Sequence, residues 1–239
     1  MKKYCCLISI LALFTGCYKE KQPAATDVIP EFYASTYTAP ADGATVVKIT
    51  ADIPGNTISG GYNLTFFSTQ GLFYDTQKSS TTLTTLRPQP DSNYRAVTAQ
   101  LVCPADTCTG TVTVTSTDIS RSLNIKFVFA YPQSVKLSTS TQFVVTTTAT
   151  NESTLTLNLV RNPGIATPGI TAQAEALDTL NNPIGNFRNG STVFSDKTGN
   201  ATFYFSPNQT PYVGKVKIKA WLPNTTPMLA DSLYINLTH

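Results

Sequence analysis

The most reactive side chains in this 239-residue sequence are its five cysteines, and they fall into three settings. Cys5 and Cys6 sit near the N-terminus beside an apolar run, Cys17 follows that run, and Cys103 and Cys108 bracket Pro104-Ala105-Asp106-Thr107. Two thiols this close read either as a disulfide or as half of a metal site. Tetrahedral zinc needs further Cys or His ligands, and the one histidine is His239, the last residue. In an exported chain the simpler expectation is a Cys103–Cys108 disulfide. The enclosed loop is too short for much chain-entropy stabilisation, so the bridge would chiefly fix the loop's shape.

Other chemistries find little support. Nucleophilic catalysis needs a base beside the nucleophile, and His239 at a chain end is poorly placed for it. Glycoside hydrolysis needs two carboxylates facing one site, whereas Asp52, Asp75, Asp91, Asp118, Glu152 and Glu175 are scattered. Gly60-Gly61 lacks the lysine and helix of a phosphate-binding loop. Asp196 and Asn200 offer two oxygens, few for calcium. No catalytic residue, metal or cofactor is expected, and the chain reads as a non-enzyme.

One segment suggests recognition instead. In Lys215-Val216-Lys217-Ile218-Lys219-Ala220-Trp221 a period of two puts Val216, Ile218 and Ala220 on one face. Lys217, Lys219 and the sole tryptophan, Trp221, share the other face. Exposed aromatics beside cations are common anchors in protein and sugar recognition, so these three residues are the candidate ligand contact. Tyr62, Tyr74 and Tyr94 are weaker candidates of the same kind.

The N-terminus is an address. Lys2 and Lys3 precede an apolar stretch ending at Phe14, followed by Thr15-Gly16-Cys17 and then Tyr18-Lys19-Glu20-Lys21. A positive start, an apolar core of roughly 10 residues and a small residue at the cut make a secretory signal, shorter than a membrane span of about 20. The end of this segment resembles the lipobox of bacterial lipoproteins, with Phe14 in place of the usual leucine. The resemblance implies cleavage after residue 16, lipidation of Cys17 and attachment to the outer membrane, facing the periplasm or the surface. Each buried CH₂ of such a lipid contributes about 0.8 kcal/mol, and two or more chains anchor stably. Cys5, Cys6, Lys2 and Lys3 would leave with the signal.

The remaining chain of roughly 220 residues fits two units of about 100. Its formal charge of +3 falls toward neutrality once the signal leaves, and it has no basic stripe of the kind nucleic-acid binding needs. Residues 17–30 read as a polar tether. Beyond them the pattern alternates: Val47, Ile49, Ala51, Ile53; Val97, Ala99, Leu101; Val112, Val114; and Leu123 through Tyr131 at every second position. Such alternation marks half-buried strands. After Pro132-Gln133-Ser134 a second series begins, with Phe143 and Val145, then Leu155, Leu157, Leu159, Phe203, Phe205, Val216, Ile218, Ala220, Leu233, Ile235 and Leu237. Short strands separated by Gly, Pro and Asn turns predict an all-β chain of two tandem Ig-like β-sandwiches, residues 31–133 and 134–239.

Local motifs resemble the bacterial Ig-like domains of the invasin and intimin group. Pro40-Ala41-Asp42-Gly43-Ala44 before a strand resembles that group's opening, and Leu64 to Gly71 its strand ending in a turn glycine. Asp196-Lys197-Thr198-Gly199 resembles its Asp-x-x-Gly turn, and Gly214 to Ala220 its closing strand. The resemblance implies a membrane-anchored envelope scaffold for adhesion, spacing or assembly, with a protein or glycan partner. The alternatives are a carbohydrate-binding accessory of a polysaccharide-uptake system and a subunit of a secretion or surface-appendage complex.

Overall fold

The computed structural model describes residues 28–54, 63–84, 94–117, 119–146, 151–208 and 210–239; Cys17, Tyr62, Asp91 and Asp118 lie outside them. The first half of the chain supplies β1 (Phe32–Ala34), β2 (Thr38–Ala41), β3 (Val46–Pro54), β4 (Asn63–Ser68), β5 (Leu72–Phe73), β6 (Ser80–Thr84), β7 (Tyr94–Val102), β8 (Cys108–Ser116) and β9 (Ile119–Phe129). They form two sheets, ordered β1-β3-β7-β5 and β2-β9-β8-β4-β6.

The second half supplies β10 (Ser134–Thr139), β11 (Phe143–Val145), β12 (Ser153–Val160), β13 (Thr171–Leu177), β14 (Asn186–Phe187), β15 (Thr192–Phe194), β16 (Asn200–Ser206), β17 (Gly214–Leu222) and β18 (Leu229–Thr238). Its sheets are ordered β10-β12-β16-β14 and β11-β18-β17-β13-β15. Adding nine to each strand number of the first unit reproduces the second. Each unit also has one parallel pair, β2 with β9 and β11 with β18, while its other pairs are antiparallel. The chain is therefore one sandwich topology used twice.

Each sandwich closes over its own core. In the first, Val47, Ile49, Leu101, Leu64, Phe66, Val112, Val114 and Ile125 are fully buried, with Phe32 and Phe73 each 6.4 Å from the Phe66 ring. In the second, the small inward residues of β13, Ala172, Ala174 and Ala176, share a core with Phe203 and Phe205. Small residues leave room for large ones, as close packing requires. Each such buried large side chain contributes about 1.5–3 kcal/mol. The Leu137 N–H donates to Asp231 Oδ2 at 2.8 Å, tying β10 to β18.

Two expectations need adjustment. The tether was expected to run to residue 30, but Val28 and Ile29 belong to the first core, Ile29 with no exposed surface. Arg121 Nη1 donates to the carbonyls of Ile29 and Pro30, so the sandwich has begun by Val28. The apolar row of β11 was expected at Phe143 and Val145; instead Val144 points inward and Phe143 is 63% exposed. A strand of three residues carries too little alternation to define its parity, and a one-residue change reverses every side chain.

Candidate functional site

The two sandwiches meet where β2 gives way to β3. Ala41 ends β2, and Asp42-Gly43 reverses the chain, with Gly43 at φ +72°. Asp42 Oδ1 accepts the N–H groups of Ala44 (3.0 Å) and Thr45 (2.7 Å), and Oδ2 accepts the Thr45 hydroxyl at 2.6 Å. The next loop of the same sandwich is stitched to this turn: Gly43 N–H donates to the Pro104 carbonyl, and Cys103 N–H to that of Thr45. An Asx turn and the loop after β7 thus make one floor.

The segment between β12 and β13 docks on that floor. Arg161 places Nε and Nη2 at 3.2 and 3.1 Å from Asp42 Oδ2, while its Nη1 donates to the Tyr131 carbonyl at 2.9 Å. The Asp42 side chain is fully buried and that of Arg161 only 16% exposed. Ile165 N–H donates to the Asp42 carbonyl at 2.9 Å. Thr167 is shared between the units: its hydroxyl donates to the Ala41 carbonyl (2.9 Å) and accepts from Ala130 N–H (2.7 Å), and its N–H donates to the Ala130 carbonyl. The Gln133 side chain exchanges two hydrogen bonds with the Asn162 backbone. Gly164, at φ +80°, comes so close that an added Cβ would lie 2.2 Å from the Asp42 carbonyl oxygen.

Burial works against ionising Asp42. The Thr45 hydroxyl, the Thr45 and Ala44 N–H groups and the Arg161 guanidinium outweigh it, holding the carboxyl below its ordinary value of 3.8. A buried carboxylate supplied with that many donors stays charged. This site lay within the Asp-Gly motif noted in the sequence, but Arg161 carried no signal there.

The Lys217, Lys219 and Trp221 segment forms central strand β17, paired with β13 and β18. Val216, Ile218 and Ala220 are buried, while Lys217, Lys219 and Trp221 are half-buried on the outer face. Lys219 lies 5.3 Å from the Trp221 ring and 3.8 Å from Glu175 across the strand pair. The face is therefore less basic than its lysines suggest. Tyr234, 59% exposed, stands opposite Lys217. Tyr74 is exposed on the first sandwich, and Tyr94 opens β7.

Cys103 and Cys108 are both free thiols, which corrects the expected disulfide. Cys103 is buried in the first core, just past the end of β7; Cys108 is half-buried and begins β8. Burial, reinforced by the Asp42 charge, pushes the Cys103 thiol up to about 12; burial and Asp106 also raise Cys108. Both behave as small apolar side chains. The loop shape attributed to a bridge is fixed instead by the backbone bonds to Gly43 and Thr45.

Several other acidic side chains are engaged locally, whereas burial and the Glu31 charge push the Asp52 carboxyl above its ordinary value. Asp196 Oδ1 accepts from Thr198 N–H, the Thr198 hydroxyl and Asn200 N–H, closing its own turn. Asn200 is bound by Asn158. Glu152 pairs with Arg188 at 2.8 Å, and Asp75 accepts from the Thr81 hydroxyl. Among the described residues no group of three or more His, Cys, Asp or Glu side chains is placed to hold a metal ion.

Two Ig-like β-sandwiches of identical strand order, docked through a buried aspartate–arginine pair, define the fold class. No family model matches the chain, and no curated protein matches it by sequence. Among solved structures it is similar to invasin, a bacterial integrin-binding protein, at TM-score 0.59 and 15% identity, covering 87% of this chain and 39% of that one. It also matches the Yersinia pseudotuberculosis adhesin InvE, at TM-score 0.47 and 14% identity, over 87% of this chain and 58% of that one. The chain thus spans less than two thirds of either protein. The likeness to invasin is one of fold: tandem Ig-like sandwiches of the invasin type.

Proposed function

We propose that the chain is a non-enzymatic envelope scaffold, held at the outer membrane by lipid on Cys17, that presents recognition surfaces on two sandwiches docked as one body. The observation carrying this reading is the buried Asp42–Arg161 pair with the hydrogen bonds around it. Tandem domains joined only by a linker move independently by default. Here the junction is filled with directional bonds, which suits a spacer or an adhesion arm whose reach must be set. The fold likeness to invasin, an integrin-binding protein, supports a protein partner, with Lys217, Lys219 and Trp221 as its candidate contact.

Membrane fractionation of cells expressing Cys17→Ser tests the anchor: the variant is expected in the soluble fraction or with its signal uncleaved, and unchanged attachment refutes the reading. Crosslinking in cells with wild type and Trp221→Ala tests the scaffold role. A partner captured by wild type and lost in the variant supports it; recovery of monomer alone refutes it.

A further inference from the structure

Beside the docking contacts the junction leaves an open groove. It runs between the end of β9 and the hairpin loop joining β17 to β18, with an outer part of about 380 Å³ and an inner part of about 110 Å³ that share Tyr131, Asn224 and Thr225. The outer part alone lies within the roughly 300–1,000 Å³ range of ligand clefts.

The lining specifies a chemistry. Phe129 and Tyr131 present rings 6.2 Å apart at a 33° tilt, and both stay half exposed, 47% and 52%. No charged side chain lines either part. Arg161, the guanidinium of the junction, is committed to Asp42 and the Tyr131 carbonyl. An anionic or cationic ligand would therefore meet no opposite charge there.

The polar groups divide into two sets. Thr225 and Gln133 are used internally, Thr225 by Leu222 and Leu229, Gln133 by Asn162, so they fix the shape of the walls. The Asn224 amide, the Thr226 hydroxyl and the Tyr131 hydroxyl make no hydrogen bond within the described residues, and they line the groove.

We propose that this groove binds a neutral oligosaccharide. Sugar rings combine apolar C–H faces, which pack on aromatic rings, with hydroxyls that exchange hydrogen bonds with amides and hydroxyls, and they carry no charge to be neutralised. A cleft lined mainly by aromatic and apolar groups with a few unpaired polar ones matches that pattern. The site is separate from the outer face bearing Lys217, Lys219 and Trp221. It rests on the docked junction, because the two sandwiches supply opposite walls.

The test is calorimetric titration of the full mature chain with neutral gluco-, manno-, galacto- and xylo-hexasaccharides. At least one is expected to bind with a dissociation constant at or below the millimolar range, Tyr131→Ala is expected to weaken it at least about tenfold (about 1.4 kcal/mol), and Asn224→Ala severalfold. Tyr74→Ala, on an exposed ring elsewhere in the first sandwich, should leave binding unchanged. Absence of binding by all four sugars at millimolar concentration overturns the proposal, as does binding indifferent to Tyr131→Ala. Small-angle scattering of wild type, with Arg161→Ala as the undocked reference, reports docking independently. Sandwiches that stay docked in wild type but bind no sugar sink the groove alone; sandwiches already undocked in wild type sink the scaffold reading.

Discussion

Asp42 and Arg161 lie 119 positions apart in sequence and 3.1 Å apart in space, one in each sandwich. Asp42 has two tasks, capping its own turn through Ala44 and Thr45 and receiving the guanidinium of the second unit. Removing one partner from a buried pair costs about 3–5 kcal/mol because the other charge is stranded. Asp42→Ala should reach that range, since it also orphans two backbone N–H groups. Arg161→Ala should cost less, about 1.5–3 kcal/mol, because Thr45 and Ala44 still satisfy the carboxylate. Urea unfolding of both single variants and the double variant measures the difference; equal costs would show that the turn contributes nothing.

The same pair makes the junction acid-sensitive. Asp42 has a lower pKa folded than unfolded, so its contribution to stability is fully present above the unfolded value near 3.9 and is lost as pH falls through the folded value. Wild type should lose stability progressively from about pH 5 downward. Asp42→Asn, weaker at neutral pH, should show a shallower acid slope. Parallel slopes in urea titrations from pH 6 to the acid limit would remove Asp42 as the cause.

Two glycines of the docking segment separate backbone strain from docking. Gly164 and Gly169 both have positive φ, +80° and +87°. A Cβ at Gly169 meets nothing within 4 Å, while one at Gly164 would strike the Asp42 carbonyl. Gly169→Ala should cost only the left-handed penalty of about 1–2 kcal/mol. Gly164→Ala should cost more and shift the two sandwiches apart, seen as a larger radius of gyration in solution scattering.

The two thiols should differ in reactivity. With Cys103 at about 12, only about one molecule in ten thousand carries its thiolate at pH 8, and the thiolate is the reactive form. Cys108, more exposed, should take up iodoacetamide first in the native protein, and Cys103 only on unfolding. Peptide mapping after short labelling reads this directly; equal labelling of both residues would contradict the buried setting of Cys103.

Much of the fold was legible because alternation is local. Val47 to Ile53 and Val216 to Ala220 each specify a strand and its inward face without reference to any partner, and the break at Pro132 separates the two series. Phe143 was misread because three residues do not establish a parity, and Val28-Ile29 because two apolar residues beside a polar tether give no sign that a core lies within reach. The cysteine pair was read as a bridge from its spacing alone, whereas in the structure both thiols are free.

What the sequence determined by itself is the strand pattern, the two-sandwich fold and the outward placement of Lys217, Lys219 and Trp221. These follow from period-two patterning, which is written in neighbouring residues. Only the tertiary structure decided that Asp42 meets Arg161, that Thr167 bridges Ala41 and Ala130, and that Tyr131 and Asn224 line one groove. Those relationships join residues far apart in the chain. They arise when two independently closed cores place their loop ends against each other, a constraint that no local pattern encodes.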